Sequence, residues 1–291
     1  MVEIVIISGK GGTGKTSIAA SIAMLVKKEA VIADCDVDAS DMHLILEPNF
    51  AKSFDFYSGE LAVINQDKCT QCGECVNVCK FDAIHTNDGK YAVNALACEG
   101  CGYCARVCPT GAIENINRNV GTWHISSIKT GALMVHAKLG IGADNSGKLV
   151  AHVKNIAKKI AIETNTEYVV IDGSPGIGCP VIASISGANF VLIVTEPTMS
   201  GVQDLQRVYE LVKKFKIPTG CIINKSDLNN KVTKQILKYL EVENIAHIAS
   251  IPYDDTFTTS MTQGKTIVES ENTNLRDIVL DSWKNIKLRF D

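Results

Sequence analysis

Positive charge is what this 291-residue sequence most clearly lacks: its 29 lysines and arginines are outnumbered by 32 aspartates and glutamates, for a net charge of -3. No basic excess draws the chain toward a polyanion, so nucleic acid is not an expected partner. Long apolar runs are missing too, and none approaches the roughly 20 residues that span a bilayer. The opening segment MVEIVIISGKGG passes from a strand-like run into glycines and lacks a secretory-signal pattern. A cytoplasmic location is therefore expected, and membrane association is not. The six histidines are scattered without ligand spacing, and His124 and His136 read as structural. What remains is an ordinary globular composition, 46% hydrophobic and 21% charged, long enough for one large core or for a core plus a small module.

The apolar pattern alternates between two periods. Val2 to Ser8, Ala30 to Ala33, Tyr168 to Ile171, Phe190 to Val194, Cys221 to Ile223 and Ile248 to Ile251 are short runs that read as buried strands. Between them Ser17 to Lys28, Leu149 to Glu163, Gly201 to Phe215 and Lys231 to Glu241 carry apolar residues at helical spacing. Such alternation predicts an α/β fold, a doubly wound and mostly parallel sheet covered by helices on both faces. It stops between about Gly59 and Arg118, where short cysteine-rich pieces take over. The expected organisation is a discontinuous main domain, residues 1–59 and 119–291, interrupted by a small α+β module at 60–118. Residues 119–147 receive no assignment beyond returning the chain to the main fold.

Gly9-Lys10-Gly11-Gly12-Thr13-Gly14-Lys15-Thr16 matches the phosphate loop G-x-x-x-x-G-K-[ST] and lies between an expected strand and an expected helix. Glycines let backbone N–H groups turn toward phosphate oxygens, and the helix N-terminus presents its positive dipole end. Lys15 would reach the terminal phosphates and the Thr16 hydroxyl would ligate magnesium. Gly9, Gly11, Gly12, Thr13, Gly14, Lys15, Thr16 and the adjoining Ser17 are the nucleotide-binding candidates.

Eleven cysteines would suggest disulfides in a secreted mini-protein, but eight of them form two tight runs. Cys69, Cys72, Cys75 and Cys79 repeat as Cys98, Cys101, Cys104 and Cys108, the last followed by Pro109, two copies of the bacterial ferredoxin spacing. In that arrangement three thiolates of a run meet one cubane while the fourth points to the other. Cys69, Cys72, Cys75 and Cys108 are thus expected to hold one 4Fe-4S cluster, and Cys98, Cys101, Cys104 and Cys79 the second. The segments FDAI, from Phe81, and TGAI, from Thr110, follow each run at the same place, an internal repeat. Zinc also binds C-x2-C pairs but has no use for a third cysteine at this spacing. Cys35 and Cys221 read as buried small hydrophobes.

The additional lysine in K-G-G-T-G-K-T resembles the deviant phosphate loop of the MinD, ParA, Mrp and nitrogenase iron protein superfamily. That resemblance implies that Lys10 reaches the nucleotide of a partner subunit, and so an ATP-dependent homodimer. Asp34-Cys35-Asp36-Val37-Asp38 resembles the family's switch I, which implies that Asp36 orients the attacking water and Asp34 lies near magnesium. Asp38 and Asp41 read equally well as acidic residues capping a strand end. Asp172 resembles the magnesium-binding residue at the end of a strand, and Gly173-Ser174-Pro175-Gly176 resembles switch II with serine in place of a proline. Asn224-Lys225-Ser226-Asp227 and Ile251-Pro252-Tyr253-Asp254 resemble base-binding loops, implying roles for Asn224, Pro252 and Asp254. An N-K-x-D tetrapeptide also suits guanine, so ATP rests on the phosphate loop. Lys10, Lys15, Asp36 and Asp172 are the catalytic candidates. Cys179, seven residues beyond Asp172, stands at a spacing similar to that of a bridging-cluster ligand in nitrogenase iron proteins, or is an inert loop thiol. The tail from Asp281 to Phe290 is similar to membrane-targeting tails but short and only mildly basic, and reads as a closing helix.

As a whole the chain resembles superfamily ATPases that carry an inserted ferredoxin domain. The implied function is magnesium-dependent ATP hydrolysis, coupling dimerisation to electron transfer toward a redox partner that the sequence does not name. Assembly or delivery of an iron-sulfur or metal cofactor is the alternative, and a MinD- or ParA-type positioning role ranks last.

Overall fold

The computed structural model describes residues 1–143 and 146–290, so Asp144 and Asn145 of the unassigned stretch lie outside the described residues, as does Asp291. In chain order the elements are β1 (Val2–Ile7), α1 (Lys15–Val26), β2 (Ala30–Asp34), α2 (Met42–Leu46), β3 (Lys52–Ile64), α3 (Glu74–Val78), β4 (Ile84–Asn87), β5 (Lys90–Val93), α4 (Tyr103–Val107), β6 (Ile113–Ser127) and β7 (Leu133–Leu139). There follow α5 (Ser146–Glu163), β8 (Tyr168–Asp172), α6 (Cys179–Ile185), β9 (Phe190–Thr195), α7 (Met199–Lys214), β10 (Thr219–Ile223), α8 (Asn230–Val242), β11 (Ala246–Ser250), α9 (Thr256–Thr262) and α10 (Thr273–Lys287). These form two compact units. The first comprises Met1–Phe54, Trp123–Lys138 and Ser146–Asp291, and the second Asp55–Thr122 and Leu139–Asn145.

In the first unit the β-branched runs become strands in the order β11-β10-β9-β1-β8-β2-β7, every neighbouring pair parallel. The sheet order continues with β6 and β3, which each carry residues of both units. Parallel strands joined by helices bury both faces, which is why β2, β8 and β9 are buried at every position. Because β1 lies between β8 and β9, the strand order reverses around it, and the crevice beyond the carboxyl ends of such strands is where ligands bind. The phosphate loop, Asp34 and Asp172 all fall at those ends.

Ile4, Ile6, Ile18, Ile22, Ile32, Val170, Leu192 and Phe190 form the middle of the core. The tail closes it: Leu275, Val279, Trp283 and Ile286 of α10 are buried, and the Phe290 ring meets Phe190 edge-on at 5.6 Å. Beneath the site, the buried Lys154 of α5 donates to the carbonyls of Ser184 at 2.8 Å and Ser186 at 2.6 Å and pairs with Glu3 at 3.2 Å. A cation at the carbonyl end of α6 satisfies groups the helix leaves open, and it fixes the helix that begins just after Gly176.

The second unit is smaller. Its buried core is Ala62, Cys75, Ala83, Ile84, Cys98 and Ile113, below the α3 and α4 turns and the antiparallel β4–β5 hairpin. Cysteine side chains are part of that core. In the first unit, Phe190→Ala is expected to leave a cavity costing about 3–5 kcal/mol, read as an earlier urea midpoint with the slope unchanged.

Candidate functional site

The loop from Ser8 to Gly14 leaves β1 and enters α1 through two left-handed glycines, Gly12 at φ 79° and Gly14 at φ 91°. A Cβ on Gly14 would overlap the side-chain amide of Asn224, and one on Gly9 would overlap the backbone and Cβ of Asp204. Gly14 thus answers to packing as well as to backbone angle, and Gly9 to packing.

Lys15, the first residue of α1, is buried and directs its ammonium into three carboxylates. Nζ lies 2.7 Å from Asp172 Oδ1 and 3.2 Å from Asp36 Oδ2. Burial alone would lower its pKa, but Asp172 and then Asp36 outweigh that and raise it. Asp34 accepts from the Ser40 hydroxyl at 2.7 Å and from the Asp36 amide at 3.1 Å. Burial, then the neighbouring Asp172, pushes the Asp34 carboxyl up to about 7. Asp36 is also raised, by burial first, with Lys15 opposing. Asp172 Oδ2 is buried and has no hydrogen-bond partner among the described residues, and the same holds for Thr13 Oγ1. An orphaned carboxylate oxygen beside Asp34 and the Thr16 end of the loop is an opening for a hard, oxygen-seeking cation. The segment after β8 is tied to its neighbours: Ser174 Oγ donates to the Cys35 carbonyl after β2 at 2.7 Å, and the Gly176 amide to Ser8 O at the start of the phosphate loop at 2.8 Å.

A pocket of about 170 Å³ adjoins the loop, lined by Gly12, Gly14, Ser17, Asn224, Lys225, Pro252, Tyr253, Asp254, Phe257, Thr258 and Met261. Asn224 Nδ2 donates to the Thr13 carbonyl at 2.8 Å, joining pocket to loop. Asp254 lines the pocket, yet its carboxylate accepts from Thr256 and, at 3.0 Å, from Asn272 Nδ2. Asp227 does not line it and accepts the Tyr253 amide at 2.7 Å. Lys10 folds back onto its own chain, 2.8 Å from Glu196.

In the second unit the eight run cysteines line two cavities. One is lined by Cys69, Cys72, Cys75 and Cys108 together with Ile64, Tyr91, Ala112 and Ile113. The other is lined by Cys79, Cys98, Cys101 and Cys104 together with Ala62, Phe81, Ile84, Val93 and Tyr103. The repeat extends to the backbone. Gly73 and Gly102, both with positive φ, start α3 and α4, and Cys79 and Cys108 each accept an N–H at Sγ, from Ala83 at 3.4 Å and Ala112 at 3.3 Å. Among the described residues no three His, Cys, Asp or Glu side chains gather closely enough to hold one metal ion. Cys35 and Cys221 are fully buried, whereas Cys179 is exposed at the first turn of α6.

Residues 4–267 match the CobQ/CobB/MinD/ParA nucleotide binding domain. The chain belongs to that family. An uncharacterized Methanocaldococcus jannaschii protein, MJ0578, is 40% identical over 79% of this chain and 80% of its own length. Two solved structures share the fold: MinD of Pyrococcus horikoshii with Mg-ADP, at TM-score 0.58 and 17% identity, covers 99% of this chain and 97% of its own. The Aquifex aeolicus MinC:MinD complex, at TM-score 0.60 and 17% identity, covers 100% and 97%. Among the described residues no helix is long and apolar enough to cross a membrane.

The loop, the three carboxylates and the pocket meet at the carboxyl ends of the strands of this nucleotide binding domain. Three residues of this site were not singled out from sequence: Glu196, Lys225 and Ser174 as a bonding group. Their partners lie far away along the chain: Lys225 and Ser174 were read only as members of their motifs, and Glu196, in the turn T-E-P-T, was not read at all. Gly14→Ala is expected to abolish nucleotide binding in a titration calorimeter while costing only about 1–3 kcal/mol of fold stability, the usual toll of a strained φ.

Proposed function

We propose that the protein is an ATP-hydrolysing iron-sulfur protein that couples nucleotide-dependent dimerisation to electron transfer toward a partner protein. The observation that carries this reading is the sorting of the eight cysteines. In a chain of a nucleotide-binding family, each cavity collects three thiols of one run and the fourth of the other. That crossed set is what two adjacent 4Fe-4S clusters require. A single zinc ion would need its thiolates gathered at about 2.3 Å from one centre, whereas a cubane spreads four thiolates over four iron corners. The donors are all soft sulfur, and the cavity walls beyond them are mostly apolar, with Thr70, Glu74 and Thr110 at one and Glu99 at the other, so the residues present fit such a group.

When bound, such clusters store and release single electrons at potentials set by charge, hydrogen bonds and solvent around them. The chain's own contribution is legible. The Ala83 and Ala112 amides donate to the Cys79 and Cys108 sulfurs, hydrogen bonds of the kind that tune a cluster held there. Ile64, Tyr91 and Ile113 on one side, and Ala62, Ile84 and Val93 on the other, limit water around the sulfurs.

At the nucleotide site, Lys15 would turn from the carboxylates to the terminal phosphates as magnesium is held by Thr16, Asp172 and Asp34. Asp36, released from Lys15, would orient the attacking water. Lys10 would reach the nucleotide of a second copy. Adenine is favoured over guanine because Asp227, the carboxylate that would recognise guanine in an N-K-x-D loop, does not line the pocket and already accepts the Tyr253 amide.

Two measurements test this. Anaerobic reconstitution is expected to load about eight irons per chain, and Cys72→Ser and Cys101→Ser are each expected to lose about half of the iron without losing ATP binding. Iron unchanged in both variants, or zinc in its place, would contradict the cluster assignment. In competition binding, GTP is expected to be weaker than ATP by about tenfold or more, and equal affinity would contradict the adenine assignment.

A further inference from the structure

The two cysteine cavities repeat each other closely. Among the described residues each is lined by one glutamate and one tyrosine, Glu74 with Tyr91 and Glu99 with Tyr103. The fourth cysteine of each run accepts a backbone N–H at nearly equal length, Cys79 from Ala83 at 3.4 Å and Cys108 from Ala112 at 3.3 Å. A lysine adjoins one cysteine of each set, Lys68 before Cys69 and Lys80 after Cys79, and both lysines are exposed. These features cancel between the halves. What does not cancel lies two residues beyond the fourth cysteine. There the second run has Thr110, whose Oγ1 lies 3.7 Å from Cys108 Sγ, whereas the first run has Phe81, which lines the other cavity and carries no donor.

We propose that Thr110 sets the two clusters apart: its hydroxyl raises the reduction potential of the cluster held by Cys69, Cys72, Cys75 and Cys108, which therefore takes the first electron. This rests on the reading above that the cavities hold 4Fe-4S clusters. A sulfur bound to iron has lost its proton, so the Thr110 hydroxyl is the donor of that pair. Reduction adds negative charge that the cluster shares with its ligand sulfurs, and a hydrogen bond to such a sulfur strengthens as the charge arrives. The contact therefore favours the reduced state. At the other cavity the equivalent place holds an apolar ring, which offers the added charge no compensation.

One contact opposes this order. Arg118 Nη1 donates to the Cys98 carbonyl at 3.3 Å and brings a cation near the second set. That carbonyl is not a ligand, and Arg118 is only half-buried, so water and salt screen its charge, whereas Thr110 acts on a ligand atom itself. The step concerned moves one electron: a low-potential donor is oxidised by one electron and the cluster gains it, with no bond to the chain formed or broken. Thr110 is a positioning residue that acts through Cys108.

The test is a redox titration of the full, anaerobically reconstituted chain, with dithionite as the reductant and EPR as the readout. Wild type is expected to reduce in two one-electron steps, the upper one surviving in Cys101→Ser and the lower one in Cys72→Ser. Thr110→Val fills the same space without the donor. At a fixed solution potential it is expected to lower the ratio of reduced to oxidised upper cluster about three- to tenfold, the worth of one hydrogen bond, or about 30–60 mV for one electron. The lower step is expected to stay in place. Thr110→Ser keeps the hydroxyl and is expected to match wild type, and Phe81→Thr is expected to raise the lower step. Both positions are exposed, so neither substitution empties the core of the unit. An upper step unmoved in Thr110→Val, or moved equally in Thr110→Ser, would overturn the inference. So would a cluster in Cys101→Ser that reduces at lower potential than the one in Cys72→Ser. If no iron loads, the cluster reading is refuted and the inference falls with it. If about eight irons load and the Thr110 variants match wild type, only the inference is lost.

Discussion

A buried ammonium among three carboxylates governs the nucleotide site. Lys15 sits 2.7 Å from Asp172 and 3.2 Å from Asp36, with Asp34 behind them, and none of these groups has ready access to water. Charges taken out of water persist only when they are paired, so the phosphate loop and the segments after β2 and β8 are held in register by one cation. The same pairing explains why a nucleotide and a divalent cation belong together here. Phosphates that attract Lys15 would strip the carboxylates of their countercharge, and a magnesium ion replaces it. Burial first, and then the neighbouring Asp172, raise the pKa of Asp34 in this crowded site. Ser174, which stands where the resembling motif carries proline, binds the segments after β2 and β8 through the Cys35 carbonyl, so a disturbance at one is felt at the other.

The second unit follows a different constraint. Its apolar core contains few large side chains, and cysteines stand among its buried residues. A small unit with so little hydrophobic burial needs another source of stability, and metal–thiolate bonds are the usual one. The paired glycine-started turns and the paired N–H bonds to Cys79 and Cys108 show a duplicated half-unit repeating the same local solution twice.

Much of this was legible because the chemistry is local in sequence. The phosphate loop is a run of adjacent residues between a strand and a helix, and the parallel strands announced themselves as short apolar runs. The cysteine spacing likewise fixed which thiols share a cavity. β3 and β6 were not legible: most of their residues are at least partly exposed, so they lack the apolar run that marks a buried strand. Nor was β7, which lies in the stretch left without assignment. The Glu196 pairings were hidden because Lys10 lies far from Glu196 along the chain. Asp254 illustrates a subtler limit. Its place beside the pocket was readable, whereas the commitment of its carboxylate to Thr256 and Asn272 depends on how α9 and α10 begin.

The central claim is that one chain joins a nucleotide switch to a pair of redox centres, and the most direct measurement is anaerobic. The reduced, reconstituted protein is examined by EPR and redox titration without nucleotide, with ADP, and with a non-hydrolysable ATP analogue, its mass being determined in each state. A change in potential or in spin coupling that appears only with the ATP analogue and together with the dimer is the predicted result. Clusters whose spectra and potentials ignore nucleotide, in a protein whose mass does not change, would contradict it.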